Sequence, residues 1–60
     1  MKTMEIIFND RVFKIKKETI VYVLYRLSGK DFSDKDDSEL LKVMKRYHLF
    51  DEITLESMIN

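Results

Sequence analysis

Chemistry in this chain would have to come from a few short stretches. The richest is the acidic run DFSDKDDSE, which gathers Asp31, Asp34, Asp36, Asp37 and Glu39 within nine residues. Clustered carboxylates are what a calcium loop needs, and the EF-hand pattern sets their spacing. Starting at Asp34, the third and fifth positions hold Asp36 and Ser38. The sixth is then Glu39 where glycine is required, and the twelfth is Lys45 where a bidentate glutamate is required. The pattern fails. A solvated loop leading into a helix accounts for the run more simply. Its sharper reading is an acidic patch that engages a basic protein surface, as an imitation of nucleic-acid phosphates would, because such patches steer association.

His48 is the only histidine, and there is no cysteine. A catalytic zinc site would have to rest on carboxylates around one imidazole, which is unusual. Asp51 and Glu52 follow His48 closely enough for acid–base work, yet the wider constellation of a catalytic site is missing. A helix end, where a cationic histidine is favoured, explains the same residues. Ser28-Gly29-Lys30 has the last letters of a phosphate-binding loop but neither the upstream glycine nor the strand-to-helix setting. The sequence therefore points to no catalytic residue, no metal ligand and no cofactor, and the expectation is a protein that is not an enzyme.

Lys42, Lys45 and Arg46 form the remaining constellation. On a helix they could touch phosphates or bases as part of a dimeric helix-turn-helix regulator. The charge balance opposes this. Eleven basic residues cancel eleven acidic ones, whereas a domain that grips nucleic acid by its backbone carries a basic excess. The start of the same helix, which would enter the groove, is acidic through Asp36, Asp37 and Glu39. A solvated helix face is the plainer reading of the three bases.

These residues must be positioned by the apolar elements, and one stretch dominates: TIVYVLYRL, Thr19 to Leu27. At helical spacing Ile20, Val23, Leu24 and Leu27 share a face, Val21 and Tyr25 make a strip beside it, and Tyr22 lies on the remaining side. Lys17-Glu18-Thr19 gives a polar start with an acid near the positive end of the helix dipole, and Ser28-Gly29 gives a stop. The spacing predicts a helix that is apolar nearly all round. Such a helix must be covered on more than one side, and a chain of this size covers only one.

Upstream, Met4 to Phe8 and Arg11 to Lys16 read as two strands joined by a two-residue loop, Asn9-Asp10, whose residue types tolerate positive φ. That loop pairs Phe8 with Arg11, Ile7 with Val12, Ile6 with Phe13, Glu5 with Lys14 and Met4 with Ile15. Apolar residues then oppose apolar ones and acid opposes base, with Met4, Ile6, Phe8, Phe13 and Ile15 on one face. The Ile7-Val12 pair is left on the other. Downstream, Lys30 to Asp37 reads as a loop with Phe32 turned inward. Asp36 and Glu39 have capping-box spacing, and a second helix over about 37–48 shows Leu40, Val43, Met44 and Tyr47 on one face. The tail is ambiguous. Asp51 could cap a short helix anchored by Ile53 and Met58, or Ile53 to Glu56 could add a third strand; the helix is the reading favoured.

The fold expected is α+β, one small domain over 1–60: an N-terminal hairpin, two helices, and a short C-terminal helix or strand (ββαα). Sixty residues bury only about 60% of their unfolded surface, and without cysteine the remaining common staple is oligomerisation. No secretion signal is legible at the start, and no apolar run approaches the ~20 residues that span a bilayer. A cytoplasmic, non-membrane protein is expected. The absence of Ala, Gln, Pro and Trp beside many Ile, Lys, Phe and Tyr suggests an AT-rich genome, as in some bacteria and their phages. The functional expectation is a small protein-binding module, a homodimer or higher oligomer, that regulates or inhibits a larger protein through Ile7, Val12, Val21, Tyr22 and Tyr25. The alternative is the DNA-binding regulator.

Overall fold

The computed structural model describes residues 2–59. Its elements are β1 (Thr3–Phe8), β2 (Arg11–Lys16), α1 (Lys17–Ser28), α2 (Asp37–Arg46) and α3 (Glu52–Ser57), an α+β arrangement of one hairpin followed by three helices. β1 and β2 pair antiparallel in the register expected from the sequence, from Phe8 opposite Arg11 to Thr3 opposite Lys16. Asn9 and Asp10 take φ of 51° and 61°. Two successive left-handed residues make the turn whose twist matches that of the flanking strands.

Alternation then does the sorting. Met4, Ile6, Phe13 and Ile15 are buried on the inner face, and the Arg11 guanidinium lies 4.5 Å from the Phe13 ring centroid. α1 begins directly after β2 without a side-chain cap. Its first free amide, Lys17 N–H, donates instead to the Lys2 carbonyl at 2.9 Å, which ties the helix start to the beginning of the hairpin. Ile20 and Leu24 descend from α1 into the core. Gly29, at φ 75°, donates its N–H to the Tyr25 carbonyl at 2.7 Å and ends the helix. This is the left-handed stop that glycine adopts without strain.

α2 starts as its sequence requires. The Asp36 carboxylate accepts the Glu39 N–H at 2.9 Å, acids occupy the first turn and Lys45 and Arg46 the last, each sign where the helix dipole favours it. Leu40, Val43 and Met44 are buried. The helix ends at Arg46 rather than His48. Its His48 N–H bonds to the Lys45 carbonyl and its Leu49 N–H to the Met44 carbonyl, with His48 at φ 59°. That is a Schellman ending, and the residues at its two ends, Leu49 and Met44, are both buried in the core.

Four further expectations resolve. The tail is helical, and the sheet has two strands. Asp51 caps α3 by accepting the Thr54 N–H, and Met58 anchors it, but Ile53 does not. Ile53 is 79% exposed, and Leu55 takes the buried place. Leu27, expected on the inner face of α1, is 54% exposed, because it lies in the last turn, after the buried Leu24. Phe32 is half-buried against the core, as expected.

Candidate interaction surface

α1 positions the most distinctive surface feature. Ile20 and Leu24 point inward, so the opposite side of the helix carries Glu18, Tyr22, Tyr25 and Arg26, all exposed. Tyr22 and Tyr25 are 58% and 53% accessible. Val21, half-buried, sits at the edge of the core beside them. An open groove of about 580 Å³ runs along this side, with Val21, Tyr22 and Tyr25 on one wall and Asp31 and Ser33 of the α1–α2 loop contributing the other. Lys2, Lys17 and Glu18 complete the lining. The groove thus has an apolar and aromatic wall with charges of both signs around it. Tyrosine suits such a surface because the ring gives contact area and the hydroxyl a polar tip.

The loop wall is fixed locally. The Asp31 carboxylate accepts the Ser33 N–H at 2.9 Å, a bond that holds its pKa below the usual carboxylate value. Lys17 Nζ donates to the Lys35 carbonyl at 2.8 Å and pins the loop to the start of α1. Lys2 and Lys17 ammonium groups stand 3.4 and 4.0 Å from Asp37 Oδ1. That oxygen is buried and accepts no hydrogen bond from the described residues, so the two lysines supply charge without hydrogen-bond geometry. The outer face of α1 is organised too. Arg26 donates from a guanidinium nitrogen to the Tyr22 hydroxyl at 3.1 Å, and its guanidinium carbon lies 5.9 Å from that ring's centroid.

The five residues expected to form one interface divide into two groups. Val21, Tyr22 and Tyr25 lie together along the groove. Ile7 and Val12 are cross-strand partners on the side of the hairpin that faces away from the core, with Ile7 73% exposed. The acidic residues are also divided. Asp31 belongs to the groove wall. Asp36 is engaged as the α2 cap, where the Glu39 N–H and then the Ser38 hydroxyl hold its pKa below the usual value. Asp37 faces the two lysines, while Asp34 and Glu39 are exposed.

Lys42, Lys45 and Arg46 are exposed on α2, turned away from its buried residues. A smaller cavity of about 250 Å³ lies between Phe8, Lys45 and Phe50, where the two phenylalanine rings are 6.4 Å apart. His48, Asp51 and Glu52 each have another engagement. His48 supplies the left-handed residue of the helix ending, Asp51 caps α3 through the Thr54 N–H and hydroxyl, both at 3.1 Å, and Glu52 accepts from Arg11 at 2.8 Å. Glu56 accepts from the same guanidinium at 2.8 Å, and the two carboxylates raise the Arg11 pKa. Among the described residues, no three of His, Cys, Asp or Glu gather closely enough to hold a metal ion, and no helix is long and apolar enough to cross a membrane.

Sequence reasoning missed Lys2, Lys17, Glu18 and Ser33 as groove residues, and no local signal marks them. It also missed the Tyr22–Arg26 contact, which the spacing of four on a helix does announce. Comparison with protein-family models, curated proteins and solved structures finds no match to this chain.

Proposed function

We propose that this chain is a non-enzymatic protein-interaction module that associates with itself and regulates or inhibits a larger partner protein by occupying its surface. The observation that carries the reading is the outward face of α1. Two tyrosines more than half exposed and a half-buried valine line one groove on the side of the helix that the chain's own core leaves uncovered. Exposed aromatic and apolar groups gathered in one place are the usual mark of a protein contact, and tyrosine is among the residues that dominate contact energetics. The small size of the chain favours added burial through association. A cytoplasmic setting agrees with the absence of cysteine, and a phage or mobile-element origin agrees with the composition.

A second reading rests on Lys42, Lys45 and Arg46, which α2 exposes together. In it the chain is a dimeric DNA-binding regulator of helix-turn-helix type. Its binding would weaken steeply with salt and vanish in Lys42→Glu/Arg46→Glu.

One experiment separates the two. Tagged wild-type protein and Tyr22→Asp are used as bait in a native lysate, each with and without nuclease. The first reading expects a stoichiometric protein held by the wild type, indifferent to nuclease and lost with Tyr22→Asp. Recovery of nucleic acid, with attendant proteins released by nuclease, would replace it with the second.

A further inference from the structure

We infer that the second copy of this chain docks α1 against α1 in antiparallel orientation, about a two-fold axis at Tyr22, with Glu18 of each chain facing Arg26 of the other. This pairing rests on the self-association proposed above and gives it a geometry. Three observations lead to it. Glu18, Tyr22 and Arg26 are spaced by four and form one stripe on the exposed side of α1, opposite the buried Ile20 and Leu24. The stripe is symmetric in position and opposite in charge about its centre: an acid four residues before Tyr22 and a base four residues after it. Arg26 is already laid along the stripe by its bond to the Tyr22 hydroxyl and its place near that ring, so its charge is held at the outer surface.

A two-fold contact is self-complementary, because each residue meets the patch that its own copy presents. Turning a second α1 antiparallel about Tyr22 brings Glu18 against the second copy's Arg26 and Arg26 against the second copy's Glu18. Two opposite-sign pairs form from one stripe. A parallel arrangement would instead set Glu18 against Glu18 and Arg26 against Arg26, and like charges placed together suppress a docking mode. The helix dipoles also run favourably when antiparallel, since each negative C-terminal end approaches a positive N-terminal end. At the axis the two Tyr22 rings meet, flanked by Val21 and Tyr25 at the groove mouth. Aromatic pairs gain from such contact beyond the area they bury. A standard interface takes about 800 Å² from each partner, about a fifth of the 4357 Å² this chain exposes, so a contact built from one short helix and its groove is a small, concentration-dependent one.

The test uses Glu18→Arg and Arg26→Glu, each studied alone and in an equimolar mixture, with the dimerisation constant read by sedimentation equilibrium. Both residues are exposed, and circular dichroism checks that each variant keeps its helix content. Either variant alone places like charges at both ends of the contact, and the expected loss in dimerisation constant is about tenfold or more. The mixture restores opposite signs at both ends, and a heterodimer at least as strong as the wild-type dimer is expected. A wild type that dimerises while the single variants do so equally well, or a mixture that fails to recover, would overturn this pairing and leave self-association standing. A wild type that stays monomeric at every concentration would overturn both.

Discussion

Leu24 and Leu27 are the same residue type, one turn apart on α1, and differ chiefly in what surrounds them. Leu24 has no accessible surface, and Leu27 is 54% exposed. Replacing each with alanine tests the packing account directly. Alanine is the best helix former, so neither change weakens the helix intrinsically. Leu24→Ala removes a fully buried side chain from the core and leaves a void. Leucine-to-alanine changes at such sites cost about 3–5 kcal/mol. A chain of this length holds roughly 3–9 kcal/mol in total, on the usual stability per residue. Leu24→Ala is therefore expected to leave the protein largely unfolded at 37 °C or to bring its urea midpoint close to zero. Leu27→Ala loses only part of a partly wet contact and is expected to cost under about 1 kcal/mol. Urea titrations followed by circular dichroism at fixed protein concentration measure both, and the fixed concentration keeps any contribution from association constant. Equal costs for the two substitutions would show that α1 does not meet the core along the Ile20–Leu24 face and would refute the assignment of its outer side.

Three further outcomes follow from particular backbone sites. His48 holds φ 59°, a conformation that costs a non-glycine residue about 1–2 kcal/mol, so His48→Gly is expected to raise stability by about 0.5 kcal/mol after the added freedom of the unfolded chain is counted; thermal melts would register a decrease if the α2 ending were formed differently. Asp51→Ala removes the α3 cap, which accepts from the Thr54 N–H and hydroxyl, at an expected cost of about 1 kcal/mol and with faster amide exchange over 52–57. The Asp36 carboxylate is held below its usual pKa by the Glu39 N–H. A carboxylate lowered on folding adds stability that is present above the unfolded value, near pH 4, and is lost as pH falls through the lower folded value. Asp36→Asn keeps a capping oxygen without the titration, so the acid limb of a stability-against-pH curve is expected to become shallower below about pH 4, while an unchanged limb would show that Asp36 takes no part in it.

The hairpin was legible because each of its residues carries the same message. Ile6 and Phe13 want one face, Glu5 and Lys14 the other, and a shift of one residue would reverse both. The Asp36–Glu39 cap was legible because it is local, confined to four residues with a known bond between them. Leu27 misled because a 3.6-residue period locates a face of a helix but not the point along it where the neighbouring elements stop. Ile53 misled for a related reason: α3 has six residues, too few for a period, and the choice between Ile53 and Leu55 is made by where Asp51 places the first turn. His48 was read within the helix because the Schellman ending depends on backbone conformation, which a histidine does not advertise as glycine does. The groove as an assembled feature was beyond sequence reading. Its walls come from Lys2, the outer side of α1 and the loop at Asp31 and Ser33, brought together by the Lys17 bonds to Lys2 and Lys35. The aromatic wall itself could be anticipated, since Tyr22 and Tyr25 lie off the helical core stripe.

The central claim is that the outer face of α1 is a contact surface, and solution mass tests it most directly. Wild type and Tyr22→Asp are run in sedimentation equilibrium from about 1 μM to about 1 mM, the range in which a small interface associates. The wild type is expected to rise from the 7.3 kDa of one chain toward twice that value, and Tyr22→Asp, with its helix content intact, to remain at the single-chain mass throughout. A wild type that stays at 7.3 kDa across the range, or a Tyr22→Asp that associates as readily as the wild type, would contradict the account.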